Sequence, residues 1–119
     1  MSSETANKPA LHKFFVYAPD LPGPETPKRR VAHLPEHFKT ALPLIKSGFI
    51  VYGGGVLTPE SVSMPGAEEI MIGSFLICAG ESLEAVLETL KKDVFYHSGE
   101  VWDVEKLVIL PAKVADSFN

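Results

Sequence analysis

Three runs constrain what this chain can fold into more than anything else in it: Phe14-Phe15-Val16-Tyr17, Phe75-Leu76-Ile77-Cys78 and Leu107-Val108-Ile109-Leu110. Each is rich in β-formers and apolar at consecutive positions, where a half-buried strand would alternate. Consecutive side chains on a strand point to opposite faces, so a sheet built from these runs is apolar on both. Two amphipathic helices can cover only one face. The other would be too large an apolar patch for a soluble monomer. A second copy of the chain, packed sheet to sheet, is the economical cover, and the pattern therefore predicts a homodimer.

Periodicity and punctuation supply the other elements. Residues 13–18 read as the first strand, followed by a loop carrying Pro19, Pro22, Pro24 and Pro27. Leu34, Phe38, Ala41, Leu42 and Ile45 recur at helical spacing and predict a first helix over about 31–47. Pro35 fits its first turn. Pro43 removes a backbone bond and crowds the Lys39 carbonyl, which predicts a kink or break. Gly48 stands where a left-handed cap is needed. A second strand over 49–52 runs into Gly53-Gly54-Gly55. Pro65-Gly66 marks a turn in the hairpin connection over 58–69, and residues 70–79 form the third strand. Ser82 caps a second helix bearing Leu83, Val86, Leu87 and Leu90. Residues 93–99 read as a turn or short helical bend, and 101–110 as the fourth strand, closed by Pro111. This order predicts an α+β, ferredoxin-like βαββαβ fold: a four-stranded antiparallel sheet with two helices on one face. With 119 residues the chain reads as one domain, 12–113, between a flexible N-terminus (1–11) and a C-terminal tail (114–119).

Several functions are disfavoured at this level. A net charge of -4 argues against nucleic acid as partner, since displacing counterions from phosphates needs a basic surface. No run is long enough to span a bilayer or serve as a signal peptide, so no membrane partner and a cytoplasmic setting are expected. The single cysteine, Cys78, excludes an intrachain disulfide and a cysteine-built metal site, and it reads as a small apolar strand residue. His33 and His37, four apart, have zinc-chelating spacing, but no third ligand or glutamate base accompanies them, so no metal is predicted. Gly53-Gly54-Gly55 lacks the spaced third glycine and following helix of a dinucleotide fingerprint, and no cofactor is predicted. The triplet reads as a bulge or a bend at a barrel corner, or, at Gly54 and Gly55, as room for a ligand. Tyr52, Tyr96 and Trp102 read as packing residues.

Further short elements bear on function. Arg30-Val31-Ala32-His33-Leu34, Gly48 through Gly54-Gly55, Glu81-Ser82-Leu83-Glu84-Ala85, and Asp93-Val94-Phe95 with Ser98-Gly99 and Val101 occur in this order over about residues 12–113. Together they resemble the YCII-related (YciI-like) family of the dimeric α/β-barrel superfamily, whose relatives include muconolactone isomerase and a chlorohydroxyhydroquinone dehydrochlorinase. The resemblance implies two subunits packing their sheets into a barrel, and a His–Asp dyad at His33 and Asp93. Val94 departs from the family's proline after the aspartate, and the His33–Gly48 segment is a few residues longer. In the implied chemistry His33 is the general base and Asp93 orients its ring. Asp93 also reads as an N-cap for the bend after it. Arg30 reads either as part of a solvated basic cluster with Lys28 and Arg29 or as an anchor for a substrate's anionic substituent. The implied function is cofactor-independent isomerisation or elimination on a small cyclic or aromatic metabolite. The alternatives are a non-catalytic small-molecule-binding or interaction protein on the same scaffold, and a cofactor-free oxygenase.

Overall fold

The computed structural model describes residues 10–115. The expected flexible N-terminus and tail lie outside that range but for residues 10–11 and 114–115. Strands β1 (His12–Pro19), β2 (Ile50–Leu57), β3 (Met71–Gly80) and β4 (Val108–Ala112) form one antiparallel sheet in the order β2-β3-β1-β4. Helices α1 (Thr26–Ala32), α2 (Leu34–Ser47), α3 (Leu83–Leu90) and α4 (Val94–His97) complete the ferredoxin-like topology.

Register assigns the two faces. Phe14 pairs with Cys78, Val16 with Leu76 and Ala18 with Ser74, and directly paired residues share a face. On this inner face Phe14, Val16 and Cys78 cluster with Val86 and Leu90 of α3, and Ala18 clusters with Val94, Phe95, Val101 and Trp102 around α4. The opposite face carries Phe15 paired with Ile77 and Leu110, Tyr17 paired with Phe75, and Tyr52 paired with Ile77. Phe15, Tyr52, Phe75 and Leu110 are exposed there. Both sheet faces are thus apolar, and this chain covers one of them.

Local signals account for most element ends. Ser82 Oγ accepts the Ala85 N–H at 3.0 Å and starts α3. Gly48, at φ 89°, closes α2 in the left-handed conformation that a side chain would strain.

Three local expectations are corrected. A short helix, α1, forms within the proline-rich stretch, because Pro27 occupies its first turn, where a missing N–H costs nothing. The helix break falls at His33 rather than at Pro43. Pro35 can neither donate to the Val31 carbonyl nor leave it room, so one helix must end and another begin. Pro43 is exposed, and α2 runs unbroken through it. The fourth strand starts at Val108 and continues through Pro111. It is an edge strand, where a proline's missing donor is tolerated. Residues 101–106 instead form a bridge from Trp102 to Asp20 and a 3-10 turn over Val104–Lys106.

Candidate active site

Helix α2 carries the apolar stripe expected of it, but much of that stripe does not reach the core. Phe38, Leu42 and Ile45 remain exposed, and among the stripe residues of α2 only Ala41 is buried. Between α2 and the inner face of β2 and β3 lies a cavity of about 800 Å³. Leu34, Phe38, Ala41 and Ile45 form one wall, and Ile50, Gly53, Ser74 and Leu76 belong to the facing sheet. The charged or titratable groups along it are Arg30, His37, Tyr52, Glu68, Glu69 and Asp93. An amphipathic helix facing a hollow in place of side chains is an arrangement suited to a small, largely apolar ligand.

At one end of the hollow stands a His–carboxylate pair. His37 Nδ1 lies 2.9 Å from Asp93 Oδ1 and 2.8 Å from Oδ2. Asp93 Oδ1 also accepts the Phe95 N–H at 2.8 Å and so caps α4. The carboxylate is buried, and His37 is one-fifth exposed. The imidazole stacks on the Phe95 ring with centroids 4.1 Å apart and planes at 2°. Asp93 thus fixes one nitrogen while Phe95 fixes the ring plane. Among the described residues Nε2 has no hydrogen-bond partner.

The dyad expected from sequence was His33–Asp93, and here the structure differs by one helical turn. His33 Nε2 meets Glu100 Oε1 at 2.6 Å, in a pair whose carboxylate is half exposed, and His33 does not line the cavity. The cause is the break at His33, which places this residue between helices. His37 lies three residues beyond Leu34 and four before Ala41, on the stripe itself. That spacing is the signal in the sequence that could have identified it.

Arg30 is buried, not part of a solvated cluster. Its Nε donates to Asp20 Oδ2 at 2.9 Å, and its Nη2 donates to Asp20 Oδ1 at 3.4 Å and to Ser74 Oγ at 2.5 Å. Its Cζ lies 4.8 Å from the centroid of the same Phe95 ring that supports His37. Burial pushes the Asp20 carboxyl above its ordinary range, and the Arg30 hydrogen bond and charge pull it back only in part. Trp102 Nε1 also donates to Ser74 Oγ, at 3.1 Å. Asp20 and Ser74 were not singled out in the sequence. Ser74 was legible as the one polar residue on the inward side of β3, in phase with Leu76 and Cys78.

The glycine triplet lies within β2, and its register irregularities flank it, at Ile50/Tyr52 and Val56/Leu57. Gly54 and Gly55 line the cavity, but the space of their absent side chains is taken by protein atoms. A Cβ on Gly54 would lie 2.9 Å from the Phe75 ring, and one on Gly55 2.6 Å from Met71 Sδ. His33 and His37 serve separate carboxylates, and the described residues contain no group of three or more His, Cys, Asp or Glu placed to share an ion.

Comparison with known proteins places the chain by sequence family and by fold. No family model matches the chain. It is 35% identical over 103 residues to fusaric acid biosynthesis protein 2 of Gibberella fujikuroi, covering 87% of this chain and 94% of that one. It is 34% identical, with the same coverage of both, to fusaric acid biosynthesis protein 2 of Gibberella moniliformis. It also matches aspartate kinase FUB3 of Fusarium oxysporum f. sp. lycopersici, with 35% identity over 109 residues, covering 92% of this chain but only 19% of that protein's length. Among solved structures, the 5-chloro-2-hydroxyhydroquinone dehydrochlorinase TftG of Burkholderia phenoliruptrix, in complex with 2,5-dihydroxybenzoquinone, superposes with a TM-score of 0.70. That match covers 88% of this chain and 97% of that one at 24% identity, and it speaks to fold alone. By sequence the chain belongs to the fusaric acid biosynthesis protein 2 family, and its ferredoxin-like fold is the one the dehydrochlorinase shares.

Proposed function

We propose that the chain is an acid–base enzyme acting on a small cyclic or aromatic metabolite, with His37 as the base and Asp93 as the residue that orients it. One observation carries this reading. Asp93 engages Nδ1 through both carboxylate oxygens, leaving Nε2 free on an imidazole that lines an 800 Å³, mainly apolar cavity. With Nδ1–H donating to Asp93, the lone pair resides on Nε2, the tautomer a general base requires. Nε2 takes a proton from a carbon next to a carbonyl or from a phenolic ring, and Asp93 stabilises the imidazolium that forms. Returning the proton elsewhere on the substrate is an isomerisation, and departure of a leaving group with its bonding electrons is an elimination. The proton transfer needs no cofactor, and such assistance is worth roughly 10²–10⁴-fold in rate. Arg30 keeps a share in binding through Nη1, whose neighbour is the Met71 thioether at 3.7 Å. His33 has no part in the reading.

Two further findings support it. The dehydrochlorinase of like fold holds a dihydroxybenzoquinone, a ring dione and so a small cyclic molecule of the proposed kind, and two relatives are named for the biosynthesis of a small molecule. In this reading the working unit is a YCII-like domain over residues 12–113, paired through its exposed outer sheet face with a second copy in the cytosol.

The test is a screen of lactones, quinols and hydroxylated aromatics with mass detection. His37→Ala should lower turnover of any substrate found by about 10²–10⁴-fold. Asp93→Asn, which keeps an oxygen for the cap, should also cost turnover. Unchanged turnover in His37→Ala ends the assignment. Saturable binding with no turnover of any candidate would instead identify a binding protein on this scaffold.

A further inference from the structure

Ser74 has a hydrogen-bond inventory that the dyad leaves unexplained. A hydroxyl has two lone pairs and one proton to give. Both lone pairs of Ser74 Oγ are taken, by Arg30 Nη2 at 2.5 Å and Trp102 Nε1 at 3.1 Å, and all three side chains are buried. Its O–H therefore has only the donor role left, and no described residue accepts from it. Ser74 and Arg30 both line the cavity. The same Phe95 ring supports the His37 imidazole at 4.1 Å and the Arg30 guanidinium at 4.8 Å, which ties this donor to the base.

From this geometry we infer that the Ser74 hydroxyl is the hydrogen-bond donor for a carbonyl oxygen of the substrate, and so stabilises the enolate formed when His37 removes the neighbouring proton. The inference rests on the acid–base reading above and adds the substrate class, a ring ketone or lactone with a hydrogen on the saturated carbon beside its carbonyl. As the C–H proton goes to Nε2, the C–H electron pair moves into the ring and the carbonyl π pair onto oxygen, where the hydroxyl meets it. A donor already oriented, and polarised by a guanidinium behind it, gains strength as charge develops on that oxygen. The surroundings disfavour a free carboxylate as the ligand group. The Arg30 charge is matched by Asp20, and Glu68 and Glu69 also line the hollow. A carbonyl that bears charge only in transit suits that balance.

Trp102 makes this testable without knowing the substrate, because it is the sole tryptophan and its indole N–H reports directly on Ser74 Oγ. The probes are 4-nitrophenolate, a planar ring with one delocalised oxyanion, and 4-nitrotoluene, which lacks that oxygen. Trp102 lines the cavity, so either ring will shift the indole N–H resonance, but phenolate binding should move it further than nitrotoluene binding does. Ser74→Ala should weaken phenolate about ten- to a hundredfold, the usual loss for a hydrogen bond to a charged oxygen, and leave nitrotoluene unchanged. Ser74→Ala strands two buried donors and could unfold. Ser74→Cys leaves a slightly larger side chain in place with a poorer donor and should show the same selective loss. An indole signal that phenolate moves no further than nitrotoluene does, phenolate affinity unaffected in the folded variants, or no saturable phenolate binding would overturn the inference. His37→Gln should still bind phenolate. Failure of the dyad would therefore appear in turnover and leave this result standing.

Discussion

Asp93 Oδ1 accepts from the Phe95 backbone and the His37 ring at once, so the residue that starts α4 is also the one that aims the imidazole. The two readings of Asp93 that sequence offers, cap and dyad member, are compatible because a carboxylate has several acceptor sites. A second titratable residue, Cys78, behaves differently. It is fully buried against Phe14, Val16 and Val86, and burial pushes its thiol up to about 12. The folded state then keeps a proton that the unfolded chain releases near the ordinary thiol value of 9.0. Stability should fall as pH rises above that value, by about 1.4 kcal/mol per pH unit at most, until the folded thiol ionises too. Denaturant titrations at increasing alkaline pH should show the decline in wild type and a shallower one in Cys78→Ala, and a thiol reagent near neutral pH should label Cys78 only after unfolding. Residue identity in the dyad was the least legible part of the sequence. Two histidines sit four apart, and which one faces Asp93 depends on where a helix breaks, a competition between two prolines that propensity alone ranks wrongly.

At the scale of elements, α2 is shaped by its prolines. Pro35 sets its start, whereas Pro43 lies in its interior with no N–H to give to the Lys39 carbonyl. Because Pro43 is exposed and lines no part of the cavity, Pro43→Ala should restore a backbone bond without disturbing the site. A gain of about 1–3 kcal/mol is expected, a large part of the interior penalty of proline. Thermal melts should show a raised Tm with unchanged ligand binding, and a lowered Tm would mean that the helix needs the proline's rigidity. Caps were readable in advance at Ser82 and Gly48 because their chemistry is local. The start of β4 was not. Val101 and Trp102 have strand-like character, but Trp102 is drawn off to Asp20 and Ser74 before the sheet resumes at Val108.

At the scale of the whole molecule the outer sheet face stands out, where Phe15, Tyr52, Phe75 and Leu110 meet solvent. If two copies cover it, sedimentation should give twice the 13.0 kDa of one chain. Leu110→Glu, on the exposed side of an edge strand and outside the inner core, should halve that mass while leaving the fold intact. A monomer at micromolar concentration in the unmutated protein would reject the paired-sheet proposal. By itself the sequence determined the order of strands and helices and the apolar character of both sheet faces. Those follow from periodicity, which acts between residues a few positions apart. Only the tertiary structure decided that His37 meets Asp93, 56 residues away, that Arg30 is buried on Asp20 and Ser74, and that the stripe of α2 faces a hollow. These depend on how α1 and α2 stand against the sheet, an arrangement set by packing between distant segments that no local pattern encodes.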